Sequence, residues 1–467
     1  MYWPTTLSAQ EIQTDAVAQG RAALHERPKA RSRSLRKGPD WFVCKKLLIH
    51  SREGISMSIH PGIPNVTTQR FGISDAEFLQ RRQNVRDRLA ERGLDAIILF
   101  NSPRIEYLSG FTHVSTERPM ALVVPQDGEL GVLIPDLERE HVTKAEIIHH
   151  VKTYPEYPAG DSGRHPMEHF SELLRDMGLG GKKLAADRDG YQDINGYVGP
   201  TVSAVMDMSV TEAPEIVDDL RQVKSDAELE LIRHSCIWGN LAHRLLQDYM
   251  AVGRTEIETS LAATSEATEY MLKTLGRAYA SHGRGIRNVP VQASFIAGSN
   301  TSLPHGLRSE SGLRPGDAIV TGASANVGGY RSELERTMIV GEPSLEFRKY
   351  FDMMLQIQNA AFAAFRPGRT CADVEADVVK AFEDLGVKEM MRHHTGHGIG
   401  LEGHEQPFCD LGDHTEVKPG MVFSVEPGLY VPGVAGFRPS DTIFITDDGC
   451  EIATFYPRDL DSLTVPA

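Results

Sequence analysis

Two short patterns occur twice, in the same order, in the second half of this 467-residue chain. Gly253-Arg254-Thr255 precedes a helix-like stretch, and Gly368-Arg369-Thr370 does so again 115 residues later. Arg314-Pro315-Gly316 introduces the strand-like run Ala318 to Thr321, and Lys418-Pro419-Gly420 introduces Met421 to Val425, 104 residues later. Gly and Pro impose specific backbone angles, so a repeated order of punctuation implies a repeated structural unit. Two related α+β halves facing each other would enclose one cleft.

The region before the repeat reads as a separate α/β domain. Ser74-Asp75-Ala76-Glu77 has the form of a capping box, and Phe78, Val85 and Leu89 recur at helical spacing until Gly93. Strands are expected at Ala96 to Phe100, Ala121 to Val124 and Leu130 to Ile134, with a helix at Met167 to Met177. Thr211-Glu212-Ala213-Pro214 reads as the linker, and Ser225-Asp226-Ala227-Glu228 as the capping box that opens the next domain. The expected organisation is a basic, disordered extension over 1–60, a first domain over 61–214 and a second over 215–467.

Residues 1–60 hold ten Lys or Arg against five Asp or Glu, whereas the whole chain carries a net charge of −15. That balance excludes nucleic acid as the main partner, because neutralising phosphates takes clustered cations. No apolar run is long enough for a membrane span. Five scattered cysteines without a CxxC pair give neither a disulfide framework nor a zinc site, so reduced thiols in a cytoplasmic protein are expected. Glu11, Asp15 and Glu26 argue against an import signal in the basic stretch, and Met57 offers an alternative start.

The densest chemistry lies in His393-His394-Thr395-Gly396-His397-Gly398-Ile399-Gly400-Leu401-Glu402-Gly403-His404-Glu405. A single histidine is most often structural, but four beside a glycine-rich turn, where backbone and ligand can approach closely, point to a site. Gly420-Met421-Val422-Phe423-Ser424-Val425-Glu426-Pro427-Gly428 then reads as a strand ending on a carboxylate.

These segments, with Arg221-Gln222-Val223-Lys224-Ser225 and Tyr107-Leu108-Ser109-Gly110-Phe111, resemble the pita-bread superfamily of methionine aminopeptidase, prolidase, aminopeptidase P and creatinase. The resemblance covers residues 75 to 455. It implies a creatinase-type N-terminal domain followed by a duplicated α+β pita-bread catalytic domain, and a homodimer. In metal-dependent members two aspartates, one histidine and two glutamates hold two divalent ions. Here His397 and Glu426 match their positions, and Glu333 stands for the second aspartate. Gly322 stands where the first aspartate is expected, and Ser440 where the last glutamate is expected. Glycine offers no side-chain oxygen and serine is a poor ligand, so a dinuclear site is not expected. The expected cofactor is none, with one ion on Glu333, His397 and Glu426 as the fallback.

Creatinase, which lacks metals, is similar in detail. Its Leu-Glu-Arg-Thr segment is reproduced by Leu334-Glu335-Arg336-Thr337, its proton-handling histidine falls on His305, and its carboxylate-binding arginine falls on Arg118. A second carboxylate-binding arginine is replaced by Phe408. The resemblance therefore implies metal-independent hydrolysis of a C–N bond (amidine, ureido or amide) in a small carboxylate-bearing, nitrogen-rich solute, as in creatinase or ectoine hydrolase. His305 would carry the proton, His397 and His404 would polarise the attacked group, Glu335 and Glu426 would hold a cationic amidine, and Arg118 would bind the carboxylate. Two other readings fit the same residues: an Xaa-Pro dipeptidase or aminopeptidase with an altered metal site, and a ligand-binding pseudoenzyme. For Glu335 and Glu426 a plain ion pair with Arg336 or Arg438 is the structural alternative.

Overall fold

Local rules place the elements before any packing is considered. The computed structural model describes residues 72–142, 147–155, 164–191, 197, 199–276 and 289–467, so the expected extension over 1–60 lies outside the described residues. Ser74 caps helix α1 (Asp75–Glu91), accepting from the Glu77 amide at 3.2 Å. The other half of the expected capping box is not made. The Glu77 carboxylate turns instead to Arg81 and to the Ser225 hydroxyl, which donates at 2.7 Å.

The first sheet runs in the order β4-β3-β2-β1-β5-β6, with β1 Ala96–Leu99, β2 Ala121–Pro125, β3 Leu130–Pro135, β4 Ile148–Tyr154, β5 Leu184–Ala186 and β6 Val210–Glu212. Helix α2 (Ser102–Ser109) follows β1, and α3 (Pro166–Asp176) lies on one face of the sheet. There Phe170, Leu173 and Leu174 join Ile98, Val123 and Leu133 in the core. Residues Thr211 and Glu212, read above as linker, pair instead with β5 as part of β6. They extend the sheet because the parallel edge of β5 is open to them.

Helix α4 (Glu215–Gln222) carries the chain to α5 (Asp226–Tyr249), which opens with a complete Ser225–Glu228 capping box. The duplication then shows in matching hydrogen bonds. Thr255 caps α6 (Glu256–Leu275) and Thr370 caps its counterpart, α8 (Cys371–Asp384), each with a full capping box. In the first half Gly253 donates to Leu313 O; in the second, Gly368 donates to Val417 O. Likewise Gly316 donates to Val340 O, and Gly420 to Ile445 O. Both of these glycines adopt a positive φ, 88° and 85°, which glycine alone takes without steric cost. Helix α7 (Leu345–Ala364) separates the two halves and packs on α8.

Among the described residues the paired halves share one sheet of eleven strands. Its central path is β12-β14-β17-β10-β8, with β8 Ala318–Val327, β10 Leu334–Glu335, β12 Gly396–His397–Gly398, β14 Val422–Val425 and β17 Ser440–Ile445. The junction of the halves is the β10–β17 pair, where Leu334 faces Asp441 and Glu335 faces Ser440. The predicted two-domain α/β and α+β architecture is thus the one found. Among the described residues no helix is long and apolar enough to cross a membrane.

Candidate active site

The seam between the halves gathers the chemistry. Glu333 immediately precedes β10, His397 lies in β12, Glu426 follows β14 and Ser440 begins β17. A register of neighbouring strands therefore brings together side chains that are distant in sequence: His397 pairs with Ser424, and Ser424 with Thr442. The backbone of Glu333 is fixed by Thr442, whose Oγ1 accepts from the Glu333 amide and donates to its carbonyl, both at 2.9 Å. Its carboxylate Oε1 accepts from Ser424 Oγ at 2.6 Å and from Ser440 Oγ at 2.9 Å.

His397 is fully buried. Its Nδ1 donates to Gly398 O at 3.0 Å, which turns Nε2 toward the carboxylates. Nε2 stands 3.3 Å from Glu426 Oε1, off the line a hydrogen bond needs, and meets no hydrogen-bond partner among the described residues. Burial alone would push this imidazole down; the Glu426 and Glu333 carboxylates outweigh it and raise its pKa to about 9. Glu426 moves the other way. Burial pushes it up, but contact with His397 and the nearby His393 and Arg438 leave it below the ordinary carboxyl range.

His404 is exposed and stacks flat on His397, with centroids 3.8 Å apart and planes 15° apart. Burial of part of its ring, and then the His397 charge, lower its pKa. The segment is anchored from below by Glu405, a buried carboxylate that accepts from Arg221 at 2.6 Å and from Lys224 at 2.8 Å. His305 is exposed on the turn after β7 (Val291–Ala297), close enough to His393 and His404 to act on their charge states. That turn is held by Arg438, which donates to Pro304 O at 2.8 Å.

Glu335 does not wait for a cation. Arg438 grips it in a two-pronged ion pair, Nε to Oε2 at 2.6 Å and Nη2 to Oε1 at 2.8 Å. Burial raises the Glu335 pKa against the pull of Arg438, to about 8, while Glu335 in turn holds Arg438 protonated. The bidentate geometry is that of an ionised carboxylate, and we take Glu335 as charged while Arg438 faces it. Arg336, the other candidate partner, is committed to Asp441 at 2.8 Å. Arg118 lies in the loop before β2 and pairs with its neighbour Glu117 at 2.5 Å.

Sequence reasoning missed several residues of this arrangement. His393 binds the Tyr430 hydroxyl at 2.8 Å, and burial lowers its pKa. Ser424 completes the hydroxyl pair on Glu333, and Arg438 appeared only as a structural partner. The Gly-x-Arg pattern around Arg438 was the signal available for the last of these.

The donor set fits one divalent ion. Ligand atoms of Glu333, His397 and His404 lie within 4.8 Å of one another, and His397 Nε2, buried without a hydrogen-bond partner among the described residues, is a group that a cation would satisfy. It does not fit the usual pair through the usual residues, since Gly322 and Ser440 bring no carboxylate.

The comparisons with known proteins bear on what such a site does. The sequence model of metallopeptidase family M24 matches residues 230–447, and that of the creatinase/prolidase N-terminal domain matches residues 81–223. The Xaa-Pro dipeptidase of Pyrococcus furiosus is 30% identical over 246 residues, which cover 53% of this chain and 67% of that protein. The chain belongs to the M24 family, in its creatinase/aminopeptidase P branch. A probable dipeptidase, PepE, of Mycobacterium tuberculosis is 29% identical over 392 residues, 83% of this chain and 97% of that protein. The crystal structure of dipeptidase PepE from Mycobacterium ulcerans superposes with a TM-score of 0.71 over 85% of this chain and 100% of that one, at 24% identity, which speaks for the fold.

These findings overturn the expectation of a metal-independent, creatinase- or ectoine-hydrolase-like enzyme. The M24 relatives are named as dipeptidases and as an Xaa-Pro dipeptidase. The physical reason lies in Glu335, the residue meant to hold an amidinium, which Arg438 already neutralises. The coarser expectation, a hydrolase acting on a C–N bond, stands.

Proposed function

We propose that this M24 member is a dipeptidase, with Xaa-Pro dipeptides as the first class to test, working through an altered metal site. The observation that carries the reading is the buried His397 Nε2, 3.3 Å from Glu426 Oε1 and without a hydrogen-bond partner among the described residues, beside the Glu333 carboxylate. The names of its M24 relatives support the same reading.

A divalent ion held by Glu333 and His397, beside Glu426, would supply an acidified water and a polarised carbonyl. The chain's own residues would do the rest. The Gly398 carbonyl holds the His397 ring in its ligating tautomer, and Ser424 and Ser440 fix the Glu333 carboxylate by occupying Oε1. Glu426, kept ionised by its cationic neighbours, is the base that receives the proton of the attacking water. His404, stacked over His397 and open to solvent, is neutral near pH 7 and offers one N–H to developing charge on the attacked carbonyl oxygen. His305, on its tethered turn, supplies the proton to the leaving nitrogen.

The test is a panel of Xaa-Pro and other dipeptides, N-acyl amino acids and creatine, incubated with the protein in manganese and in EDTA and read by mass spectrometry. Cleavage of dipeptides in manganese supports the reading. Cleavage of creatine or N-acyl amino acids with all dipeptides intact would refute it.

A further inference from the structure

The first domain reaches the histidine loop through a chain of alternating charges. Asp187, just after β5, is buried and accepts from the amides of Phe100 and Asn101 at 3.0 and 2.9 Å. Arg104, in α2, donates to Asp187 at 3.2 Å and grips Asp218 of α4 with two prongs, Nε at 2.8 Å and Nη2 at 2.6 Å. Asp218 stands 3.5 Å from Arg221, one turn along α4, and Arg221 Nη2 donates to Glu402 at 2.8 Å and to Glu405 at 2.6 Å. A second tie fixes the same turn of α4, because the Tyr107 hydroxyl of α2 donates to Leu220 O at 3.1 Å.

At the far end Lys224 holds the other oxygen of Glu405 at 2.8 Å, and the carboxylate lies close under the loop. A Cβ added at Gly400 would meet Glu405 Oε1 at 2.6 Å, so a glycine at 400 leaves the carboxylate its place. His404 directly precedes Glu405, so the backbone that Glu405 fixes is the one that aims the exposed His404 ring at His397. Arg221, Lys224 and Glu405 are all buried. Desolvation offsets most of the attraction between buried charges, so a chain of this kind is better explained by the geometry it imposes than by stability.

We infer that Arg104, Asp218 and Arg221 are positioning residues: through Glu405, the first domain sets the orientation of the His404 ring over His397. The inference rests on the reading of His404 as the donor to the attacked carbonyl, given above. A donor to developing charge acts only when held close to its productive position, so loosening it lowers kcat more than it raises KM.

The test is Asp218→Asn in the full chain, which leaves Arg104 with Asp187 and Arg221 with Glu402 and Glu405. With manganese and the best dipeptide, kcat should fall about tenfold at nearly constant KM, a size typical of coupling within one charged network. In a His404→Ala background the same substitution should change kcat by less than about twofold. Arg88→Gln removes contacts of α1 with the Glu215 and Ile216 carbonyls of α4, outside the chain of charges, and should leave kcat unchanged. A second readout needs no turnover. In metal-free protein with ¹³C-labelled histidine, the His404 ring resonance, shifted by the His397 ring stacked on it, should move toward its exposed position in Asp218→Asn and stay in place in Arg88→Gln. Should Asp218→Asn fail to fold, Arg104→Gln carries the same expectations from the side of the first domain. An unmoved His404 resonance, an unchanged kcat, or an equal loss of kcat with and without His404 overturns the inference. A moved resonance in a protein that cleaves no dipeptide supports the positioning and removes only the dipeptidase reading.

Discussion

Ser440 donates its hydroxyl to Glu333 Oε1 at 2.9 Å, at a position where relatives with two metals place a glutamate. The fully buried serine has therefore become part of the support of a neighbouring ligand. Ser440→Ala should cost about 1 kcal/mol, a typical net hydrogen-bond contribution, because Ser424 still serves the same oxygen. Ser440→Glu should behave differently. It adds a buried charge beside Glu333, so the melting temperature in EDTA should fall and manganese should restore it. A melting temperature in EDTA equal to wild type would show that position 440 does not face the carboxylates.

The metal-stripped protein should lose stability toward alkaline pH. His397 has a folded pKa of about 9, above its ordinary value of about 6.5. A raised histidine stabilises fully below the lower value and loses that contribution as pH rises through the higher one. Denaturant unfolding in EDTA should therefore show a decline between roughly pH 6.5 and 9 that His397→Ala lacks. Binding a cation must displace the same proton, so manganese affinity should rise over that window. A stability profile in EDTA that is flat there for wild type would contradict the ion pairing of His397.

Glu405 makes the complementary acid-side prediction. Burial raises its pKa, but Lys224 and Arg221 outweigh burial and depress it below the ordinary carboxyl value. A depressed carboxyl stabilises above its unfolded pKa and loses that contribution as pH falls through the folded one. Glu405→Gln should cost about 3–5 kcal/mol near neutrality, since it strands the buried Lys224 and leaves Arg221 to Glu402 and Asp218. It should also flatten stability against pH below about 4.5. Urea titration at several pH values checks both, and a cost below 1 kcal/mol would show that water replaces the carboxylate.

His404 and His305 can be told apart by kinetics. His404→Ala should lower kcat for a dipeptide by about 10²–10³-fold, the usual effect of losing one donor to a developing oxyanion. His305→Ala should lower it by about 10²–10⁴-fold, as loss of a general acid does. A change in KM alone for either variant would assign that histidine to binding instead.

Legibility in the sequence followed the range of the interactions. The duplication was readable because its markers are local: Thr255 and Thr370 cap their helices within three residues, and Gly316 and Gly420 turn the chain immediately before strands. His397, Glu426 and Glu333 were readable because they sit in or beside short motifs with fixed spacing. The Glu335–Arg438 pair, 103 residues apart, was weighed only as an alternative, because nothing local to either residue announces the other. The same holds for Arg221 and Glu405, separated by 184 residues, and for His393 and Tyr430 across 37. The substrate reading failed for that reason: it treated Glu335 as free when the register of β10 against β17 brings Arg438 to it.

The most direct test of a metal-assisted dipeptidase is the initial rate on the best Xaa-Pro dipeptide for protein stripped with EDTA and then titrated with manganese, beside His397→Ala treated alike. The account predicts no turnover in EDTA, recovery that follows manganese binding, and no recovery in the variant. Full dipeptide turnover in EDTA, or equal recovery by His397→Ala, would contradict it.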